Sequence, residues 1–220
     1  MIERATETWS HAARPFATLL LCSVAAIGLQ GCIEMAIGTA VVGTIAANDR
    51  RTLGAQTEDK AIAVKAESRT PQLVGDGGHV NIASFNRKVL LTGEVRDEAM
   101  KAAVEREVST IEGVNSIVNE LLVGGLSSYT SRSNDALLTG KVKASFVDTR
   151  DLYANSIKVV TERAAVYLMG RVSQREATLA TEVARGVPGV QKVVRVFELI
   201  DESELKQLNP PSTKPAAATN

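Results

Sequence analysis

The chain has 220 residues, 25 basic and 25 acidic side chains, 45% hydrophobic residues and only 4% aromatic ones. That length and composition suit one or two small domains with cores of Val, Leu, Ile and Ala. They leave few flat faces for stacking on bases or sugar rings, which argues against nucleic-acid and glycan binding. No Gly-rich phosphate loop opens a helix after a strand, and with two cysteines and two histidines the parts of most catalytic sites are missing. No catalytic residue, metal or cofactor is assigned, and the chain reads as a non-enzyme.

In chain order, Arg4 and Arg14 supply a charged start ahead of an apolar run, Phe16 to Gly28, too short to span a bilayer comfortably. Leu29-Gln30-Gly31-Cys32 follows. This order of basic, apolar and small residues before a Cys resembles the bacterial lipoprotein signal. The resemblance implies that residues 1–31 are a signal peptide and that Cys32 is the lipid-attachment residue, carrying acyl chains such as palmitate. Cleavage would remove Cys22 and His11, leaving one acylated Cys, no internal disulfide and one histidine, His79. A Ser-His-Asp triad would need His79. After Asp76-Gly77-Gly78 it reads instead as a surface residue at the start of a strand.

Residues 32–57 read as a lipidated, membrane-proximal tether. Ile33 to Ala47 is apolar and small, which favours a segment lying against the membrane; a flexible tether and a helix packed on a domain remain open. Asn48, Asp49, Arg50 and Arg51 read as a loop into the first folded unit. The residue after Cys32 is Ile33, not the Asp that retains enteric lipoproteins in the inner membrane, so by analogy the destination is the outer membrane.

The rest of the chain repeats itself. Val89-Leu90-Leu91-Thr92-Gly93-Glu94-Val95 matches Val166-Tyr167-Leu168-Met169-Gly170-Arg171-Val172, and Glu112-Gly113-Val114 matches Pro188-Gly189-Val190. The periodicities predict an αββαβ unit in each copy. A helix over Asp59–Thr70 or Asp135–Val147 precedes a hairpin. A second helix follows, capped by Asp97 in the first copy and by a Ser173–Glu176 capping box in the second. A last strand, Ser116–Val123 or Lys192–Leu199, lies parallel to the preceding one. The fold class is α+β: two tandem domains, each a small mixed three-stranded sheet covered by two helices. The domains span 58–124 and 133–200, with a Gly/Ser-rich linker at 125–132. Residues 201–220 read as a disordered tail, given Pro210, Pro211, Pro215 and the Ala run.

The repeated unit resembles the BON domain, through V-L-L-T-G-E-V with E-G-V and V-Y-L-M-G-R-V with P-G-V. Signal, lipid-attachment Cys and two such units together resemble the dual-BON outer-membrane lipoproteins. That resemblance implies a periplasm-facing, lipid-anchored protein that binds anionic phospholipid, supports envelope integrity under stress, and has a link to cell division.

Charge divides unevenly between the copies. Residues 58–123 hold 8 basic and 11 acidic side chains, and residues 132–200 hold 11 and 7. Each Lys or Arg near an anionic surface contributes about 1 kcal/mol, so the second unit is the predicted phospholipid-binding one. In its first helix, Leu138, Val142 and Phe146 have core spacing. Leu137, Lys141 and Ala144 lie on a neighbouring stripe, with Lys143 and Arg150 beside it and Arg132 just before the helix. The candidate phospholipid-binding residues are therefore Leu137, Lys141, Lys143, Arg132 and Arg150, with Tyr153 as an added interfacial aromatic. In the family this helix is the expected lipid contact, with an aromatic near its start; here Leu137 takes that place. Leu137 as one more core residue remains an alternative. The alternative function is a periplasmic scaffold for outer-membrane assembly or for regulators of cell-wall hydrolases, using sheet edges or the acidic first unit.

Overall fold

The computed structural model describes residues 49–208. Cys32, the expected signal peptide, most of the expected tether and the end of the expected tail lie outside the described residues. The first domain comprises helix α1 (Leu53–Val74), strands β1 (His79–Phe85) and β2 (Lys88–Val95), helix α2 (Glu98–Ser109), and strands β3 (Ser116–Asn119) and β4 (Leu122–Val123). The second repeats it with α3 (Tyr129–Asp148), β5 (Ile157–Glu162), β6 (Ala165–Val172), α4 (Gln174–Gly186), β7 (Lys192–Arg195) and β8 (Glu198–Leu199). In each domain the hairpin is antiparallel and the crossover through the second helix returns a parallel strand beside the hairpin's second strand.

The repeat extends to its hydrogen bonds. Each hairpin closes on two non-glycine residues with positive φ, Asn86-Arg87 and Arg163-Ala164, as a two-residue turn matched to strand twist requires. Both turns sit over an aspartate of the preceding helix. Asp59 accepts from the Asn86 and Arg87 N–H groups at 2.6 and 2.8 Å, and Asp135 from those of Arg163 and Ala164, each at 2.8 Å. Asp59 also takes the Ser84 hydroxyl and the Arg51 guanidinium. Burial alone would raise its carboxyl, but the Ser84 hydroxyl, the Arg87 N–H, Arg51 and the Asn86 N–H together hold it below the ordinary aspartate value. Gly93 is needed for a close approach: its φ is +112°, and a Cβ there would lie 2.0 Å from the His79 carbonyl oxygen.

Side chains on alternate faces of the strands build three cores. Ile62, Ile82, Val89, Leu91, Val104 and Val108 pack between helices and sheet in the first domain. Leu138, Val142, Phe146, Val166, Leu168 and Ala180 do so in the second. The opposite sheet faces meet each other: Ala83, Phe85 and Leu90 pack on Tyr167, Met169 and Val196. The result is helices, sheet, sheet, helices. Asn86 to Glu198 at 2.6 Å and Lys158 to the Ser84 carbonyl at 3.2 Å tie the domains across that seam.

Several element boundaries differ from the sequence expectation. Both first helices start about a turn and a half earlier, because Thr52 and Ser128 cap them through their hydroxyls. Residues 129–132 of the expected linker are therefore helical, and Arg132 lies within the helix, not before it. Each last strand is interrupted: Leu121 and Val196 turn inward and are buried, splitting it into the pairs β3/β4 and β7/β8, all bonded to β2 or β6. The expected tail begins with a short helix, α5 (Glu202–Leu208), capped by Asp201 and packed through Leu205. The expected entry loop is docked. Arg50 is buried and grips Glu176 of the α4 capping box through both terminal guanidinium nitrogens, at 2.6 and 2.9 Å, and the Arg171 carbonyl at 2.8 Å. The Asp97 cap and the Ser173–Glu176 capping box are present as expected.

Candidate functional site

Helix α3 buries Leu138, Val142 and Phe146 against the second sheet. Core positions three or four apart leave the opposite face to solvent. Leu137 stands 66% exposed there, with Tyr129 at 86% and Val147 at 72%. At about 100° per residue, Tyr129, Ser133, Leu137, Gly140, Ala144 and Val147 fall in one stripe about 80° wide. Lys143 borders it on one side and Lys141 on the other, both exposed. Leu137 is thus a surface residue and not part of the core.

The other candidates fall in different surroundings. Arg150 is exposed just past the helix end. Arg132 folds back on the linker: it donates to the Ser127 hydroxyl and carbonyl, each at 3.2 Å, and its guanidinium lies 5.5 Å from the Tyr129 ring centre. Tyr153 is half-exposed, with Arg50 stacked 5.2 Å from its ring centre. The chain leading back to Cys32 therefore leaves the described region, at Asp49, close to Tyr153. Sequence reading did not single out Tyr129, which stands exposed on this stripe. The signal was available in Ser128, whose capping hydroxyl places Tyr129 at the first helical position.

A second cluster lies between the domains. The side chain of Glu94 on β2 is completely buried; it receives the Ser127 hydroxyl at 3.2 Å, while Arg163 stands at 3.6 Å and His79 Nδ1 at 3.8 Å. Glu162 of β5 joins it from the second domain. Burial, then the Glu94 and Asp135 charges, push the Glu162 carboxyl up to about 7. Burial and the Arg132 charge, outweighing Glu94, lower the His79 imidazole. His79 does open β1 as expected, but its side chain faces this cluster. Among the described residues, no helix is long and apolar enough to cross a membrane.

Two copies of one α+β module, packed through their sheets and presenting a lysine-edged apolar stripe on one outer helix, define the class of small tandem-domain modules. The chain belongs to the BON domain family, whose model matches residues 58–125 and 134–201. Within it, the chain is 37% identical over 191 residues to the outer membrane lipoprotein DolP of Haemophilus influenzae, covering 85% of this chain and 98% of that protein. It thus belongs with the outer-membrane lipoproteins built from two BON domains. It is also 30% identical to the 21 kDa hemolysin of Actinobacillus pleuropneumoniae, over 69% of this chain and 79% of the relative. A 72-residue stretch is 39% identical to the osmotically-inducible protein Y of Escherichia coli, covering 32% of this chain and 36% of that one.

Proposed function

We propose that this chain is a non-enzymatic lipoprotein, anchored at Cys32 in the outer membrane and facing the periplasm, whose second BON domain binds anionic phospholipid and supports envelope integrity, including at the division site. The observation that carries this reading is the exposed stripe of α3. Tyr129, Leu137 and Val147 offer apolar surface to acyl chains while Lys141 and Lys143, one on each side, reach headgroup phosphates. Tyr153, beside the point where the tether leaves, extends the same arrangement. An acyl anchor plus a weakly basic amphipathic face supplies the two signals that firm membrane residence takes.

The test is flotation of residues 48–220, which form a compact unit, with vesicles of phosphatidylcholine alone or mixed with phosphatidylglycerol. Binding to the mixed vesicles only, weakened by salt, is expected. Leu137→Glu should lower it at least about tenfold, since burying a leucine at an interface is worth about 1.5–3 kcal/mol. Equal flotation of the Leu137→Glu and Lys141→Glu/Lys143→Glu variants would move the contact elsewhere. Absence of all binding would leave the acyl anchor as the membrane contact and turn attention to protein partners in outer-membrane assembly or division.

A further inference from the structure

We infer that His79, Glu94 and Glu162 form a zinc site that clamps the two BON domains together. One nitrogen of His79 and one carboxylate oxygen from each glutamate lie within 4.8 Å of one another. Two of the three come from the first domain, as cross-strand partners in the first hairpin, His79 opposite Glu94. The third is the last residue of β5 in the second domain. Nothing in either domain alone assembles the set.

The independent sign of a ligand is the state of Glu94. Its side chain has no exposure to solvent, yet Oε1 accepts no hydrogen bond, and neither does the buried Nδ1 of His79. A buried carboxylate oxygen that accepts no hydrogen bond is costly, and a cation at this point would satisfy both atoms. Two arginines supply partial compensation. Arg163 stands 3.6 Å from Oε1, with 46% of its side chain exposed, so it can swing out to solvent. Arg132 donates to the Ser127 hydroxyl that is itself bonded to Glu94, and so keeps its charge beside the cluster. Asp135, close by, spends its oxygens on the turn N–H groups and is not a ligand.

One imidazole and two carboxylates suit zinc, which takes nitrogen and oxygen ligands at about 2.0–2.2 Å, better than calcium or magnesium, which prefer oxygen ligands throughout. The groove lined by His79, Asn81, Thr139 and Glu162 opens onto the cluster and would admit the ion and a fourth, water ligand. A metal bound only in the docked arrangement stabilises that arrangement by mass action.

The experiment is calorimetric titration of metal-stripped residues 48–220 with zinc chloride, paired with thermal unfolding with zinc or with chelator. Residues 48–220 contain neither cysteine and no histidine but His79, so competing soft ligands are absent. One zinc per chain is expected, with a rise in the unfolding midpoint of about 5 °C at a hundredfold excess over Kd. Excess magnesium or calcium should not reproduce it. His79→Ala and Glu162→Gln should each weaken zinc binding at least about tenfold. With cobalt in place of zinc, His79→Ala should alter the visible absorption band, which a merely structural histidine would leave unchanged. No zinc uptake by the wild type, or equal uptake by both variants, overturns the assignment. Glu162→Gln keeps the shape of the side chain while exchanging one acceptor oxygen for an amide donor, so it serves where His79→Ala perturbs folding.

Discussion

The two BON domains share a scaffold and differ on one surface. Aligned on the aspartates that hold their hairpin turns, Asp59 and Asp135, the buried rows of the two first helices correspond: Ile62, Ala66 and Thr70 against Leu138, Val142 and Phe146. The outer rows do not. Ala61 stands where α3 has Leu137, and Glu67 where it has Lys143, while Lys65 and Lys141 match. Packing constrains the inner row of both copies. The outer row is not bound by packing: α1 also exposes Leu53 and Val64 there, with Lys60 and Lys65 at its borders, but only the second copy sets a lysine at the Glu67/Lys143 position. A duplicated fold has thus kept two cores beneath outer rows that differ in charge.

The inner rows offer the largest effects. Phe146→Ala should cost about 3–5 kcal/mol through the cavity it leaves, whereas Thr70→Ala at the matching position should cost about 1 kcal/mol through loss of one hydroxyl bond to the Ala66 carbonyl. Urea unfolding of the two variants measures the contrast, and equal losses would break it.

Next come the turn aspartates. Asp59 serves Ser84 and Arg51 in addition to its turn N–H groups, so Asp59→Ala should cost about 3 kcal/mol and Asp135→Ala about 1 kcal/mol less. The Asp59 carboxyl is held below its unfolded value. Its contribution is therefore present above the ordinary aspartate range and is lost as pH falls through the lower folded value. Acid titration of the urea midpoint should show a decline below about pH 4 that is shallower in Asp59→Asn; identical profiles would remove Asp59 as the cause.

The outer rows give the smallest change in stability and the sharpest change in binding. Leu137→Ala combined with Lys143→Glu gives α3 the residues of α1 at these two positions and should alter stability by less than about 0.5 kcal/mol while reducing flotation with anionic vesicles about tenfold. The reverse graft, Ala61→Leu with Glu67→Lys, should restore part of that binding to such a variant. A graft without effect would mean that Tyr129 and Tyr153, which the first domain lacks, carry the contact.

Much of this molecule was legible in order along the chain. The repeat, the hairpins, the Asp97 cap and the Ser173–Glu176 capping box are local patterns, set by neighbours within a few residues. The early starts of α1 and α3 were readable too, in Thr52 and Ser128, but Thr52 follows a charged, loop-like run and Ser128 a Gly/Ser-rich one, and such stretches look like linker until helix follows. The nearly continuous burial of β2 and β6 had its sign in their nearly continuous aliphatic runs, because a strand covered on both faces does not alternate.

What the sequence by itself determined is the module, its duplication and the class of surface each copy presents, since hydrophobic period and capping chemistry act over short separations. Only the tertiary structure decided the pairing of the two sheets back to back, and with it the meeting of Glu162 with His79 and Glu94, the docking of Arg50 on Glu176, 126 residues away, and the exposure of Leu137. Those depend on which of several apolar faces finds which partner, and non-directional apolar attraction leaves no mark of that choice in spacing along the chain.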